Sequence, residues 1–432
     1  MRVRKMTKAK LNHVMWAALM VCGMQVPSAF AQTAPVATPN VLPTDAQASQ
    51  KQVVTLEEYL RLVVRNQPSL AADRLEAGIA KADTRTASAF PNPTASVYGK
   101  PGEHGVGIEQ PIPIFGQRGL HIENARKGEI TAAAHVDMAV TNALNDAATA
   151  FNELLVAQQR AQVWHDASKA LEKAAFIVRG QIDAGARSRY DGARLTLQQA
   201  QMVMQVSKAD AAQKAAMAKL AQVAAKPRWQ AQAEGSMQTL GQQQVTEFDE
   251  LWKQASARLP ALRSAQAELD QARHKISVAE RDALPVPSVG VTRVKSRPDG
   301  SYTQWGVSMA IPLFDRNQGA IDRARAEAEQ AQLRWEAASQ NAQSDLYTAL
   351  QQMQLKRDSV QSYEKEGLSQ IEPLRQMAND AYRLGQGGIL ELIDALGSIT
   401  EHRLEYLDLV KDYLDAEWQV RVASGNLPVM EP

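Results

Sequence analysis

Side chains able to do acid–base or metal chemistry are scattered along this chain of 432 residues. The only cysteine, Cys22, lies in the opening segment, so the rest of the chain has no thiol nucleophile or thiolate ligand. The adjacent Glu103 and His104 are interpreted as a solvated loop pair. One acidic pair has a defined geometry, because Glu391 and Asp394 are three residues apart and so share one helical face. No catalytic set is present, and we predict that the protein is not an enzyme and holds no metal or cofactor. The six histidines beyond the opening segment are His104, His121, His135, His165, His274 and His402.

The first 31 residues have the pattern of a secretory signal. A basic start precedes a short apolar run, and Ala29 and Ala31 supply the small residues of a cleavage site. We predict cleavage after Ala31 and discount acylation at Cys22, since Met20 and Val21 precede it. Removal of this segment changes the formal net charge from +1 to −4, which gives no reason to expect nucleic-acid binding. No later stretch has 18 unbroken apolar residues, so a membrane role would depend on strands.

The chain contains an internal repeat. It reads IPIFGQRGLHIENAR at 112–126 and IPLFDRNQGAIDRAR at 311–325. Behind each copy a helical stretch runs between two glycines, Gly119 to Gly185 and Gly319 to Gly385, and both intervals are 66 residues. A helix of that length measures about 100 Å. Two equal helices of this length indicate one plan used twice.

The repeat divides the chain. The first repeat covers 55–226 and begins with a capping box formed by Thr55 and Glu58. The second covers 246–425, and breaks are expected at Pro68 and Pro260. Each repeat is predicted to hold a helix, a β-hairpin, a long helix and a returning helix. The remaining boundaries are a signal at 1–31, a linker at 32–54, hairpins at about 92–115 and 287–314, long helices at 119–184 and 319–384, an inter-repeat linker at 227–245 and a tail at 426–432.

The hairpins alternate in polarity. In TQWGVSMAI, an apolar set that includes Trp305 and Val307 faces away from a small and polar set that includes Gly306 and Ser308. Outward-facing strands of membrane β-barrels have this pattern, and half-buried soluble sheets share it. Four strands cannot close a barrel, so strands in a membrane would have to come from several chains. Two chains would supply eight strands and three would supply twelve.

These residues and motifs together resemble the TolC-type outer membrane factors, from TLEEYL to ASGNLP. The segment IPLFDRNQGAIDRARAE is most similar to the cobalt–zinc–cadmium (CzcC-like) heavy-metal branch. The resemblance implies a mostly helical, duplicated fold: four strands per protomer in a homotrimeric twelve-stranded outer-membrane β-barrel, continued by a long periplasmic α-helical barrel. It also implies contact with outer-membrane lipid.

The implied function is passive conduction of substrate, here heavy-metal cations such as cobalt, zinc, cadmium or nickel. The substrate would come from an inner-membrane RND transporter through a periplasmic membrane fusion (adaptor) protein. The alternatives are an outer membrane factor for drug efflux or type I secretion, or a soluble periplasmic coiled-coil adaptor. An adaptor should have one helical hairpin between β-domains, whereas this chain has two helical hairpins.

The resemblance also assigns roles to residues. Glu391 and Asp394 fall on the acidic positions of the periplasmic constriction, where a ring of carboxylates would favour cations. Gly387 stands where some members of the family carry an arginine, so one ion pair is missing and the closed turn would be held either more weakly or by Arg187 or Arg194. Separately, Pro373, inside the second long helix, is expected to bend it; the bend either steers the periplasmic end inward or is accommodated without a function. The helix turns and the closed-state network comprise Gly185, Asp191, Tyr382, Gly385 and Gly387, and the strand-to-helix joints comprise Pro113, Phe115, Pro312 and Phe314.

Overall fold

A computed structural model describes residues 52–185, 188–235, 247–297 and 299–428. The predicted signal, its cleavage site, most of the linker 32–54 and Arg187 lie outside these residues. The helices are α1 (Leu56–Asn66), α2 (Pro68–Ser88), α3 (Gln117–Asp183), α4 (Arg189–Val223), α5 (Phe248–Arg258), α6 (Pro260–Asp282), α7 (Gln318–Tyr363), α8 (Ser369–Arg383) and α9 (Ile389–Ala423). The strands are β1 (Gln52–Thr55), β2 (Thr94–Lys100), β3 (Glu103–Pro111), β4 (Ala231–Glu234), β5 (Pro287–Ser296) and β6 (Gly300–Met309).

Local sequence signals set several helix starts. The Thr55 side chain accepts from the Glu58 backbone N–H at 3.4 Å, and the Glu58 carboxylate accepts from the Thr55 backbone N–H at 3.0 Å, as the predicted capping box requires. Pro68 and Pro260 each occupy the first turn of a new helix, where a missing backbone N–H is tolerated. The breaks predicted at both prolines are therefore confirmed.

Both hairpins form one antiparallel sheet with the order β2-β3-β5-β6. The centre of the sheet joins the two repeats, since Ile108 of β3 pairs with Val291 of β5. The same row continues outward to Ala95 of β2 and Trp305 of β6. Within the described chain the outer edges of β2 and β6 have no partner strand.

The two faces of this sheet differ. The face called apolar here carries Val97, Val106, Ile108, Val289, Val291, Trp305, Val307 and Met309. The opposite, small-residue face is crowded: a Cβ added to Gly105 would lie 2.2 Å from the Tyr98 ring, and one added to Gly107 would lie 2.6 Å from Thr292 Oγ1. Such crowding is expected on the concave side of a curved sheet. Arg293 shares the apolar face, next to Val106 and Thr303.

The helices follow the lateral order of the strands. Next to the sheet α2 packs on α3, α3 on α6, and α6 on α7; farther away α4 packs on α3, α3 on α9, and α9 on α7 and α8. One lateral side of the chain is therefore formed by β2, α2 and α4, and the other by β6, α7 and α8. Within the described residues, no helix is both long and apolar enough to cross a membrane.

A two-stranded parallel sheet was not predicted from the sequence. β1 pairs with β4, which places Val54 opposite Ala233, and both side chains are buried. The Gln158 side chain of α3 donates to the Ala233 carbonyl at 3.0 Å and accepts from its N–H at 2.8 Å. The predicted linkers 32–54 and 227–245 therefore include residues that are not linker. Residues 52–54 and 231–234 lie in the paired strands β1 and β4, and β4 is hydrogen-bonded to Gln158 of α3.

The second long helix also differs from its prediction. A single helix was expected over 319–384, but a π-helical turn, Glu364–Leu368, separates α7 from α8. Pro373 follows in α8 and lacks the N–H that would donate to the carbonyl of Ser369. A π-helical turn changes the hydrogen-bond spacing of a helix. The observed interruption therefore lies on the N-terminal side of Pro373, and the bend at the proline itself stays a prediction.

Candidate functional site

Two glycines end the long helices at the turns. Gly185 and Gly385 have φ angles of 74° and 71°, in the left-handed region that glycine adopts without strain. After α8, the Gly385 N–H donates to the Tyr382 carbonyl at 3.2 Å and the Gln386 N–H donates to the Ala381 carbonyl at 2.9 Å. These are the two hydrogen bonds of a Schellman motif. Gly185 makes the equivalent bond to the Ile182 carbonyl at 2.9 Å.

Tyr382 lies inside the hydrophobic cluster that joins the two turns. Its ring is buried together with Val178 of α3, Leu195 of α4 and Leu392 of α9. Its hydroxyl donates to Gln181 Oε1 at 2.8 Å, which links α8 to α3. Tyr382 therefore connects the two helical hairpins through both packing and a hydrogen bond.

Asp191 caps its own helix. Its Oδ2 accepts from the Ser188 hydroxyl at 3.1 Å and from the Ser188 backbone N–H at 3.4 Å, while Ser188 Oγ accepts from the Asp191 N–H at 3.2 Å. This reciprocal capping box stabilises the start of α4. A carboxylate near a helix N-terminus also interacts favourably with the helix dipole.

Glu391 and Asp394 are exposed in the first turns of α9, on either side of the buried Leu392. Gly388 is the N-cap, and Glu391 Oε2 lies 2.6 Å from the point where a Cβ of Gly388 would be. Glu391 thus folds back towards the start of its helix. Neither carboxylate forms an ion pair with another residue of the described ranges.

At equivalent places the two turns carry the same charge in one pair of residues and opposite charges in another. Ser188 and Gly388 are 200 residues apart, as are Asp191 and Glu391, and the same interval relates Arg194 to Asp394. Arg194 is exposed. Gly387 has room for a side chain, because the nearest atom to an added Cβ would be Ala381 Cβ at 3.6 Å.

Both strand-to-helix joints are hydrogen-bonded to α6. The Phe115 carbonyl accepts from Arg281 Nη1 at 3.1 Å. Gly116 follows with a φ angle of 83° and is the N-cap of α3. Asn317 occupies the corresponding left-handed position before α7 and donates through Nδ2 to the Ala279 carbonyl at 2.7 Å. Pro113 and Pro312 both lie between the last strand residue and these turns. Phe314 is 92 % exposed.

A polar cluster beside the π-helical turn was not found from the sequence. The Tyr363 hydroxyl donates to Glu405 Oε2 at 3.0 Å and lies 2.9 Å from His402 Nδ1, while the Tyr406 hydroxyl donates to Glu364 Oε1 at 2.6 Å. Burial, the hydrogen bond to Glu405 and its negative charge raise the pKa of Tyr363 to about 12. Tyr363 lies in α7 whereas His402 and Glu405 lie in α9, so only the tertiary structure brings the tyrosine to them.

Most histidines serve as contacts between helices. His121 lies 2.9 Å from Asp282, and His135 lies 2.7 Å from Glu268; both pairs join α3 to α6. His165 joins α3 to α4 through Asp210 at 2.9 Å. Over the described ranges, no group of three or more His, Cys, Asp or Glu side chains is arranged to hold a metal ion.

Comparisons with known proteins converge on one family. A family model described as outer membrane efflux protein matches residues 251–426. The cobalt–zinc–cadmium resistance protein CzcC of Cupriavidus metallidurans is 23 % identical over 366 residues, covering 83 % of this chain and 86 % of the relative. Nodulation protein T of Rhizobium leguminosarum bv. trifolii is 24 % identical over 332 residues, covering 73 % and 70 %.

The fold has close structural counterparts. A crystal structure of CusC, solved in a study of folding and transmembrane channel formation, superposes with a TM-score of 0.72 at 18 % identity. The match covers 85 % of this chain and 91 % of CusC. The mostly helical fold with a few strands is that of TolC-like channels, as the sequence predicted.

Proposed function

We propose that this chain is an outer membrane efflux protein that serves as the passive exit duct of a tripartite RND-type system for heavy-metal cations. The protein is a TolC-type efflux channel of the outer membrane that extends into the periplasm. The observation that carries the proposal is a four-stranded sheet with an apolar face and two open edges, joined to long helical hairpins. That sheet is complete only when further copies supply strands.

A homotrimer supplies those strands. Each unpaired backbone group at the edges of β2 and β6 would cost roughly several kcal/mol of desolvation free energy in lipid. The two edges must therefore pair with other strands. The lateral helices support the same arrangement. Leu75 of α2 and Leu197 of α4 are exposed on one side of the chain, and Leu333 and Leu355 of α7 are exposed on the other. Three copies give twelve strands and bring these surfaces together.

The exposed carboxylates support cations as substrate. In a trimer, Glu391 and Asp394 supply six carboxylates near the axis, and a ring of negative charge favours cations. The C. metallidurans relative is named for resistance to cobalt, zinc and cadmium. The turns at Gly185 and Gly385 are the ends that meet the periplasmic adaptor, through which the inner-membrane RND transporter delivers its substrate.

The constriction is tested by replacing its carboxylates. We expect Glu391→Ala with Asp394→Ala to lower cation selectivity and weaken block by multivalent cations in planar bilayers, with trimers intact. Because Glu391 folds back onto its own helix, Asp394→Ala alone should have the larger single effect. Glu329→Ala with Glu401→Ala is the matched control, since it removes two exposed carboxylates elsewhere on α7 and α9. Unchanged selectivity in an assembled double variant would exclude these residues from the constriction.

The substrate is tested in cells that lack the chain. We expect its loss to lower the tolerated concentration of cobalt, zinc, cadmium or nickel, and plasmid-borne protein to restore tolerance. Sensitivity to organic drugs alone, or loss of a secreted protein, would favour the two other roles of this family. A monodisperse monomer in detergent with intact strand content would contradict the trimer.

A further inference from the structure

Near the hairpin tips the apolar face of the sheet ends in two basic residues of β5, Arg293 and Lys295. Going towards the tips, the row that contains Trp305 and Val291 is followed by Arg293, and two residues later by Lys295. His104 pairs with Lys295 in this last row. Arg293 donates to Thr303 Oγ1 at 2.8 Å, and both basic side chains are exposed.

No carboxylate neutralises this row on its own face. All residues of β2, β3, β5 and β6 are described, and their pairing puts no Asp or Glu side chain on the apolar face. Glu103 and Glu109 belong to the small-residue face, where Glu103 pairs with Lys100 at 3.0 Å and Glu109 accepts from the Ser308 hydroxyl at 2.5 Å. Glu103 and His104, although adjacent in sequence, therefore lie on opposite faces of the sheet. Arg293 and Lys295 form a positive surface beside an apolar one.

The exposed aromatic residues place Arg293 and Lys295 at the level of lipid headgroups. Phe314 at the joint and Trp305 in β6 are 92 % and 79 % exposed and nine residues apart. Between them the exposed apolar side chains of Val307 and Met309 lie in β6 and that of Ile311 lies beyond its end, so an apolar surface joins the two aromatic residues. Exposed aromatic residues mark both boundaries of a membrane. Arg293 and Lys295 then lie just beyond the outer boundary, since the helices are periplasmic.

We propose that Arg293 and Lys295 bind the phosphate groups of lipid headgroups in the outer leaflet. The inference rests on the proposed function, because it requires the sheet to lie in the outer membrane. Guanidinium and ammonium groups make charge-assisted hydrogen bonds to phosphate oxygens, and Arg can do so with two N–H groups. The aliphatic stem of Arg293 covers the neighbouring apolar surface while its charged end reaches the headgroups. Three protomers present six such cations around the channel.

The test measures lipid preference of the full-length assembled protein. Binding of bisphosphorylated lipid A and of the same lipid without phosphates is compared in phosphatidylcholine nanodiscs. The wild-type protein should prefer the phosphorylated lipid, and Arg293→Gln with Lys295→Gln should weaken its binding about tenfold to thirtyfold. Lys169→Gln with Lys173→Gln removes the same charge from exposed positions of α3 and should leave the preference intact.

Three results would overturn the inference. The first is a double variant that still prefers phosphorylated lipid, and the second is an α3 control that loses this preference equally. The third is loss of the preference in millimolar inorganic phosphate, which would indicate a site for the free ion. Channel formation in plain phosphatidylcholine bilayers is recorded for every variant. A protein that conducts without preferring phosphorylated lipid contradicts this inference alone, whereas a protein that forms no channel contradicts the proposed function.

Discussion

The two helical hairpins are built on one plan but are held together differently. α3 runs for 67 residues without interruption and buries 18 of them. The corresponding part of the second hairpin consists of 46 residues of α7, a π-helical turn of 5 residues and 15 residues of α8, with only nine buried. α3 packs against helices on both sides, whereas α7 has neighbours on one side within its chain.

Polar contacts take a larger part in the second hairpin. Tyr363 and Tyr406 bind Glu405 and Glu364 beside the π-helical turn, in the region where apolar burial is sparse. α4 starts with a full capping box, whereas α9 starts at Gly388 with no side-chain cap. The comparison teaches that equal length does not give equal rigidity. Within a single chain we therefore expect the second hairpin to be the less stable of the two until another copy covers α7.

Exchanging one proline gives the largest expected effect. Pro373 and Lys173 are 200 residues apart and occupy the same place in the two long helices. Lys173→Pro should destabilise α3 by about 3 kcal/mol, because a proline inside a helix removes a hydrogen bond and clashes with the preceding turn. Pro373→Lys should stabilise α8 in return. Amide hydrogen exchange over 160–183 and 360–383 measures both.

Conductance separates a functional bend from a tolerated one. Pro373→Ala should raise protection and change single-channel conductance or pump activity if the bend steers the periplasmic end inward. Lys173→Ala, at an exposed position of α3, is the control. Raised protection with unaltered conductance and efflux would leave the proline without a role in gating.

Removing the Tyr363 hydroxyl should give an intermediate effect. Tyr363→Phe deletes the hydrogen bond to Glu405, so we expect a loss of about 1 kcal/mol in the local stability of the α7–α9 contact. Because the folded pKa of about 12 exceeds the unfolded value near 10, the part of the stability that Tyr363 contributes is full below about pH 10 and falls as the pH rises towards 12. The variant should lack this alkaline loss.

Thermal unfolding from pH 9 to pH 12 measures that loss. Tyr347→Phe is the matched control, since Tyr347 is exposed and forms no hydrogen bond with the described residues. An identical pH profile for Tyr363→Phe and the wild-type protein would show that the cluster does not stabilise the second hairpin.

Exchanging the helix caps should give the smallest effect. Gly388→Ser would create Ser-Ile-Leu-Glu at the start of α9, a capping box with Glu391 like that of Ser188 and Asp191. We expect a gain of a few tenths of a kcal/mol, and a similar loss in α4 for Ser188→Gly. Hydrogen exchange of the first turn of each helix measures the change. A loss of protection in α9 would mean that Glu391 cannot turn to accept the new bonds.

The sequence was informative where local signals agree. The turn glycines, the Thr55 cap and the alternation around Trp305 each depend on neighbouring residues, and the structure has the corresponding features. Contacts between distant segments were not predictable. β1 and β4 have only four residues each; AQAE alternates small and polar residues, but neither it nor QVVT is long enough to indicate its partner.

The site was predictable only in part for the same reason. Pro373 signals an irregular helix, but the π-helical turn lies beside Tyr363, whose hydrogen bond to Glu405 of α9 exists only in the folded structure. The spacing of Glu391 and Asp394 predicts a shared helical face. It does not reveal that Glu391 folds back over Gly388, because that depends on the side-chain conformation in the folded turn.

The open edges of β2 and β6 have a consequence for biogenesis. A newly exported chain carries two rows of free backbone donors and acceptors beside an apolar surface, and such edges template aggregation. The hazard lasts until other copies arrive, so it depends on how quickly chains meet in the periplasm. Overproduction shortens the search for partners but also multiplies incorrect encounters. We therefore expect a factor that covers the strand edges before assembly to lower the aggregation of this chain.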